Sequence, residues 1–276
     1  MTLKEAYAYG QLQLREALVD DAKIDAWYLL EFATGINRTL YYLRADEQLS
    51  AEQEEKYREY ISVRAKHIPL QHITGVQEFM GLEFCVDEHV LIPRQDTEVL
   101  AEQVLESLEP NMKILDMCTG SGCILISLLK HGTGLCGTGV DVSEDALKIA
   151  EKNAKKFDVN ANFIKSNLFD EVNEQFDVIV SNPPYIPTAV IEQLQDEVRF
   201  YDPRLALDGK EDGLYFYREI VKKSIKYLRQ NGKLYFEIGH DQAEEVKQLM
   251  EDAGFSSVQV KKDLAGLDRV VFGVYI

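Results

Sequence analysis

The stretch Lys113-Ile114-Leu115-Asp116-Met117-Cys118-Thr119-Gly120-Ser121-Gly122 joins a strand-like apolar run to a helix-like segment that begins at Cys123. From this point to the C-terminus, strand-like runs alternate with helix-like segments. The strand-like runs cover residues 113–117, 136–142, 163–164, 176–181, 233–238 and 269–275, and the helix-like segments cover 123–130, 144–157, 214–228 and 241–253. Such alternation predicts an α/β fold, with a mostly parallel, doubly wound sheet and helices on both faces.

The turn between the first strand and its helix, residues 118–122, has the composition of a ligand-binding loop. Gly120 and Gly122 allow positive φ angles and a close approach of a ligand to the backbone. The helix that follows offers unpaired N–H groups to a negative group such as a carboxylate. A dinucleotide-binding turn needs a third glycine, but Leu125 stands at that position, so a pyrophosphate is less favoured. Asp141 ends the next strand, where a carboxylate can accept both hydroxyls of a ribose.

A ligand with a ribose, an amino-acid end and no pyrophosphate fits these features, and S-adenosylmethionine is such a ligand. Asp116 could order the loop or hold an ammonium group through water. Asn167 and Leu168 follow the third strand, where Asn167 could bond an adenine amino group and Leu168 could cover a ring face. We therefore expect the cofactor site to comprise Cys118, Thr119, Gly120, Ser121, Gly122, Asp141, Asn167, Leu168 and Asn182.

Asn182-Pro183-Pro184-Tyr185 directly follows the apolar run 176–181, which is typical of a buried strand. Two prolines cannot continue a sheet, because neither has an N–H and each fixes φ. The chain therefore leaves the strand in a stiff form, which sets the directions of the Asn182 amide and the Tyr185 ring. The Asn182 oxygen and the Pro183 carbonyl can accept the two N–H groups of a flat NH2 group and aim its lone pair at an electrophile. A plain strand-ending turn is the alternative for so short a motif.

Composition and charge narrow the function classes. The 276 residues are 46% hydrophobic and 28% charged, as in a globular protein of one large or two smaller domains. The net charge of −17 disfavours free DNA or RNA as a partner, because nucleic-acid affinity depends on Lys and Arg. The four cysteines form no Cys-x-x-Cys pair and the histidines show no zinc spacing, so we expect no metal. Without a run of about 20 apolar residues, we expect a cytoplasmic protein that does not bind a membrane.

The sequence divides into three parts. Residues 1–75 are predicted to form a helical domain that docks a substrate or partner. Residues 76–92 are predicted to form a linking β-hairpin with a polar turn at 87–89, and residues 93–276 the cofactor-binding catalytic domain.

Two segments of the third part could belong to a site. Arg94-Gln95-Asp96-Thr97-Glu98 is either a solvated helix start or a site wall. The stretch 186–212 has no clear periodicity and is long for a compact domain, which favours a functional loop or lid.

These motifs resemble a known family. The predicted sheet and its turn are similar to class I S-adenosylmethionine-dependent methyltransferases, and Asn-Pro-Pro-Tyr resembles those that act on adenine or glutamine nitrogen. Within that group the chain resembles the release factor glutamine methyltransferases. Four further stretches carry the resemblance: Pro69-Leu-Gln-His-Ile-Thr-Gly75, Leu91-Ile-Pro-Arg-Gln-Asp-Thr-Glu98, Asp212-Gly-Leu-Tyr-Phe-Tyr-Arg218 and Asp263-Leu-Ala-Gly-Leu-Asp-Arg-Val-Val271.

The resemblance implies a seven-stranded class I methyltransferase sheet and a small N-terminal helical domain that helps to dock the substrate. It implies methylation of the side-chain amide nitrogen of the glutamine in the Gly-Gly-Gln loop of class-1 peptide chain release factors. It also implies that the turn 118–122 binds the cofactor, with Asp141 at the ribose and Asn167 and Leu168 at the adenine. The catalytic residues that clamp the substrate are then Asn182, Pro183, Pro184 and Tyr185.

Two positions depart from the family pattern. The family often has glycine in place of Cys118, so a close backbone approach is less assured there. It often has aspartate in place of Asn167, but a neutral amide can still accept a hydrogen bond from the adenine amino group.

Two other functions fit parts of the sequence. A DNA or RNA adenine amino-group methyltransferase would share the cofactor fold and Asn-Pro-Pro-Tyr, since a flipped adenine also presents a planar NH2. The negative charge, the lack of a basic segment and the four flanking stretches weigh against it. A non-catalytic adaptor that merely holds a nucleoside would not need the intact Asn-Pro-Pro-Tyr.

Overall fold

The structure is a computed structural model that describes residues 1–276. Its helices are α1 (Leu3–Glu16), α2 (Ala22–Thr34), α3 (Arg38–Arg44), α4 (Ala51–Arg64), α5 (Leu70–Thr74), α6 (Glu98–Leu105), α7 (Cys123–His131), α8 (Glu144–Lys156), α9 (Thr188–Ile191), α10 (Asp196–Tyr201), α11 (Arg204–Leu207), α12 (Tyr215–Ser224) and α13 (Ala243–Asp252). Its strands are β1 (Val76–Phe79), β2 (Leu82–Cys85), β3 (Lys113–Met117), β4 (Cys136–Asp141), β5 (Ala161–Lys165), β6 (Phe176–Ser181), β7 (Leu228–Glu237), β8 (Phe255–Lys262) and β9 (Asp268–Tyr275).

The chain forms two compact units. The first contains Met1–Gly75 together with Asp196–Tyr201, and the second contains Val76–Gln195 and Asp202–Ile276. No helix is long and apolar enough to cross a membrane.

The first unit consists of α1 to α5 and α10. Capping boxes at Thr2 and Ser50 start α1 and α4, because each hydroxyl accepts the N–H of the third helical residue and that residue's side chain reaches back. Inside the unit, Arg64 is 4% exposed and donates to Asp25 at 2.7 Å and to Glu197 of α10. A buried guanidinium thus joins α4 to α2 and to a segment that lies far away in the sequence.

The second unit is built on a seven-stranded sheet with the order β5-β4-β3-β6-β7-β9-β8. Strands β3 to β7 run parallel, and β9 is antiparallel to both of its neighbours. The strand order reverses between β3 and β6, where an open α/β sheet forms a crevice at its carboxyl edge. This confirms the predicted doubly wound seven-stranded sheet.

Alternate residues of the strands face opposite cores. Leu115 of β3 and Ile179 of β6 pack on one face with α12 and α13. Ile114 and Val178 pack on the other face with α6, α7 and α8. The near-continuous apolar strands follow from this burial on both sides.

Three details differ from the sequence-based expectations. The hairpin turns at Met80-Gly81, not at residues 87–89, because Met80 and Gly81 both adopt positive φ, as a tight two-residue hairpin turn requires. Strand β8 was not predicted, since its polar side chains alternate with partly buried ones at the sheet edge. The stretch 186–212 is not irregular throughout, because it contains the short helices α9, α10 and α11.

Candidate active site

A cleft lies at the carboxyl edge of the sheet, beside the point where the strand order reverses. It encloses about 1030 Å³, with its open mouth included. Its wall comes from the ends of β3, β4, β5 and β6 and from loops before α6 and around α11. The lining residues include Arg94, Thr97, Cys118–Ser121, Asp141–Ser143, Ser166–Leu168, Asn182, Pro184, Pro203 and Phe216.

The turn after β3 adopts a backbone that favours glycine. Cys118, Gly120 and Gly122 have φ angles of +63°, +54° and +77°. A Cβ on Gly122 would lie 2.9 Å from Ile126 Cδ1 and 3.2 Å from Ala150 Cβ, so this position also has no room for a side chain. Cys118 takes the left-handed conformation that glycine adopts freely, at a cost of about 1–2 kcal/mol for a residue with a Cβ. The turn therefore keeps its shape despite the cysteine.

Asp116, a residue of β3, forms a hydrogen bond with this turn. The Thr119 hydroxyl donates to Asp116 Oδ2 at 2.6 Å, and the Thr119 N–H donates to the carbonyl of Val140 at 3.0 Å. Asp116 is fully buried, and its Oδ1 has no hydrogen-bond partner. Burial raises the pKa of this carboxyl to about 7, although the Thr119 hydrogen bond acts to lower it. Asp116 does not line the cleft, so its observed role is to order the turn through Thr119.

Asp141 stands at the end of β4 with its carboxylate held by backbone groups. Its Oδ2 accepts the N–H of Gly120 and its Oδ1 accepts the N–H of Ser143, both at 2.9 Å. Burial raises the pKa of Asp141, and these N–H groups act against that rise. Each carboxylate oxygen retains a lone pair, so the group can still accept hydroxyl hydrogens from a ribose.

Asn167 and Leu168 follow β5 and also line the cleft. Leu168 is 7% exposed and has a φ of +52°. The Ser166 hydroxyl fixes this bend, because it donates to the carbonyl of Leu168 at 2.6 Å. Asn167 remains exposed at the cleft, where its amide is free to contact a ligand.

The structure divides the four residues after β6. Asn182 and Pro184 line the cleft, whereas Pro183 and Tyr185 are not part of its wall. The Pro183 carbonyl accepts no hydrogen bond. Tyr185 is half-buried against the core, and its carbonyl accepts a hydrogen bond from Gln242 Nε2 at 3.0 Å. The backbone after the prolines is therefore anchored by Gln242, and only Asn182 and Pro184 of the four residues face the cleft.

Part of the segment before α6 lines the cleft, while its charged side chains remain largely exposed to solvent. Arg94 and Thr97 line the cleft. Arg94 Nη2 donates to Asp202 Oδ2 at 2.6 Å. Asn182 Nδ2 donates to Thr97 Oγ1 at 3.4 Å, so Thr97 contacts the proposed catalytic amide directly.

The sequence analysis did not single out Glu237, and it named Thr97 only within the segment 94–98. Glu237 ends β7 and lies beside Asn182, because the parallel register pairs Ser181 with Phe236. A usable signal was present: Glu237 closes an apolar strand at its carboxyl end, just as Asp141 does.

Two protein-family models match separate parts of the chain. Residues 5–75 match the PrmC N-terminal domain family, and residues 94–196 match the methyltransferase small domain family. Among solved structures, a methyltransferase from Pyrococcus furiosus is 18% identical, with a TM-score of 0.55 over 71% of this chain and 90% of that chain. At that identity the likeness shows a shared fold, the class I methyltransferase fold.

Several curated relatives are similar over their full length. The release factor glutamine methyltransferase of Geobacter sulfurreducens is 41% identical over 99% of this chain and 96% of its own. The proteins of the same description from Caulobacter vibrioides and Clostridium acetobutylicum are 39% and 38% identical, each over 99% of this chain and over 96% and 99% of their own chains. The chain therefore belongs to the release factor glutamine methyltransferase family.

Proposed function

We propose that the chain transfers a methyl group from S-adenosylmethionine to the side-chain amide nitrogen of the glutamine in the Gly-Gly-Gln loop of class-1 release factors. The observation that carries this proposal is the position of Asn182. Asn182 lines the cleft that residues 118–121 of the turn also line. A cytoplasmic location belongs to the same proposal, since release factors act on ribosomes.

The residues of the cleft fit this cofactor. Glycine conformations in the turn bring backbone N–H groups to the ligand. The free lone pairs of Asp141 suit the ribose hydroxyls, and Asp116 is proposed to order the turn or to hold an ammonium group through water. Asn167 and Leu168 are proposed to contact the adenine. When bound, S-adenosylmethionine supplies an electrophilic methyl group, so no strong general base is required.

The acceptor needs help because an amide nitrogen shares its lone pair with its carbonyl. Asn182 Oδ1 and the Pro183 carbonyl are proposed to accept its two N–H groups, and the Pro183-Pro184 pair stiffens this part of the backbone. Tyr185 is proposed to pack near the amide plane. Holding the nitrogen in line with the methyl group, about 3–3.5 Å away, can contribute about 7–11 kcal/mol to lowering the barrier. The amide proton leaves to water after the N–C bond has formed.

The helical unit is proposed to help dock the release factor. Residues 5–75 match a family model separate from the one that matches residues 94–196, which supports treating this unit as distinct from the catalytic one. The assignment of residues 1–75, 76–92 and 93–276 to docking, linking and catalysis stays a prediction, and α10 adds a later segment to the first unit.

Transfer of labelled methyl from S-adenosylmethionine to a purified class-1 release factor tests the proposal. The matched control is the same release factor with Gly-Gly-Gln changed to Gly-Gly-Ala, and duplex DNA is offered in parallel. We expect label on the unmodified release factor alone. Label on DNA would favour an adenine methyltransferase, and no label with cofactor bound would favour the adaptor.

A further inference from the structure

A buried glutamate lies directly behind the proposed acceptor site. Glu237 is 2% exposed, and its Oε2 has no hydrogen-bond partner. It follows Phe236, whose partner in β6 is Ser181, so Glu237 and Asn182 are neighbours at the carboxyl edge of the sheet. Burying a carboxyl with an unpartnered oxygen costs stability. Its position beside a reaction centre therefore points to a role in the reaction.

Several elements present charged or polar groups to this carboxyl. The groups that interact with it electrostatically or by hydrogen bonding are Thr97, Asp96, Cys123, Asn182, Tyr185, Tyr217 and Arg269. Arg269 is engaged elsewhere, because its Nη2 pairs with Asp263 at 3.0 Å and with Asp96 at 3.2 Å. No cation forms an ion pair with Glu237 itself, and the side chains of Thr97 and Asn182 both lie within hydrogen-bonding reach of its carboxyl.

Thr97 can relay the influence of Glu237 to Asn182. A hydroxyl donates one hydrogen bond and accepts others, whereas an ionised carboxylate only accepts. The ionised Glu237 therefore draws the Thr97 hydrogen toward itself and leaves the Thr97 oxygen to accept from Asn182 Nδ2, which lies 3.4 Å away. Because Asn182 Nδ2 is held at Thr97, the oxygen at the other side of the amide, Oδ1, faces the methyl acceptor.

We propose that Glu237, acting through Thr97, is the positioning residue that holds the Asn182 amide with its oxygen toward the methyl acceptor. The identity of the acceptor rests on the proposed function, but the orientation of Asn182 does not depend on it. When Glu237 is protonated, its O–H can instead donate a hydrogen bond to the Thr97 oxygen. The Thr97 hydroxyl is then free to donate to Asn182 Oδ1. This turns the Asn182 amide around, so that its NH2 group faces the acceptor.

This relay makes the orientation of Asn182 depend on pH. Burial raises the pKa of Glu237 to about 7, although Thr97, Arg269 and Asn182 act to lower it. The orienting, ionised form therefore gains population as the pH rises through about 7, and turnover should rise with it.

The first test needs no acceptor. The full chain is labelled with 15N-asparagine, and the side-chain NH2 signals of Asn182 are followed by NMR as the pH is raised through the pKa of Glu237. We expect these signals to titrate in the wild type and to lose the titration in Glu237→Gln. Glu245→Gln, an exposed change on α13, is the matched control and should titrate like the wild type. The proposal would be overturned if the Asn182 side-chain signals did not shift with pH, or if they shifted in Glu237→Gln as they do in the wild type.

The second test measures turnover with a purified release factor. Glu237→Gln should lower kcat by about 10–100-fold, as is typical when a group that orients an active-site ligand is removed, and should abolish the rise of kcat with pH. The KM for S-adenosylmethionine should stay within about twofold of the wild type, because the cofactor contacts are untouched. Thr97→Val should share the loss and Thr97→Ser should escape it. A Thr97→Val enzyme with wild-type kcat would refute the relay through Thr97. A wild-type protein that transfers no methyl group would contradict only the proposed function, because the NMR titration tests the role of Glu237 separately.

Discussion

Gly122→Ala should damage the turn that opens α7 in two separable ways. Gly122 has a φ of +77°, where a residue with a Cβ costs about 1–2 kcal/mol. Its new Cβ would also lie 2.9 Å from Ile126 Cδ1 and 3.2 Å from Ala150 Cβ, and overpacking of this kind costs about 1–3 kcal/mol. We therefore expect the free energy of unfolding to fall by about 2–5 kcal/mol, from the sum of these two costs.

Gly254→Ala is the matched control for the backbone effect. Gly254 has a φ of +91°, but a Cβ there would meet nothing within 4 Å. Its loss should therefore be about 1–2 kcal/mol, from strain alone. Urea unfolding of both variants gives the difference, and calorimetry gives the affinity for S-adenosylmethionine, which should fall in Gly122→Ala and stay unchanged in Gly254→Ala.

Equal losses of stability in the two variants would refute the packing argument at Gly122. Unchanged cofactor affinity in a folded Gly122→Ala would refute the assignment of the turn to the cofactor site.

Four further changes test separate parts of the account. Asn182→Ala should lower methyl transfer by about 10²–10³-fold, as when one transition-state contact is removed, with little change in cofactor affinity; equal losses in both would contradict its role. Asp141→Asn should weaken S-adenosylmethionine binding by about tenfold or more, since hydrogen bonds to a charged group contribute about 1.5–3 kcal/mol, and unchanged calorimetric affinity would remove it from the site. Arg64→Ala should lower the free energy of unfolding by about 3–5 kcal/mol, because Asp25 is left buried without its cation; a urea midpoint that does not move would contradict this. The free energy of unfolding should fall as the pH rises from about 4.5 to about 7, because Glu237 stays protonated in the folded chain where it ionises in the unfolded chain. Urea titrations at several pH values should show a smaller fall for Glu237→Gln. An equal fall in the variant would contradict the raised pKa of Glu237.

The sequence was most informative where local chemistry determines structure. The buried strands β3 and β6 were predicted with their observed ends, because continuous apolar runs bounded by turn residues have few alternatives. Residues 118–121 of the turn after β3 and Asn182 line one cleft, as expected for the carboxyl ends of parallel strands, whereas Gly122 does not line it. Their roles toward cofactor and substrate remain proposals.

Features that depend on pairing between distant segments could not be predicted in the same way. Whether Glu237 lies beside Asn182 depends on the register of β6 against β7, which no local pattern encodes. The hairpin turn at Met80-Gly81 was missed because methionine is not a turn residue, and its positive φ follows from the pairing of β1 with β2. Helix α10 joins the first unit through Glu197 and the buried Arg64, a contact between segments far apart in the chain.

The most direct test of the central claim is to locate the transferred methyl group. A purified class-1 release factor is incubated with the protein and S-adenosylmethionine, digested, and its Gly-Gly-Gln peptide is fragmented by mass spectrometry. The account predicts one added methyl group on the glutamine side-chain nitrogen, present with the wild type and strongly reduced with Asn182→Ala. A methyl group on any other residue, or an equal yield with Asn182→Ala, would contradict it.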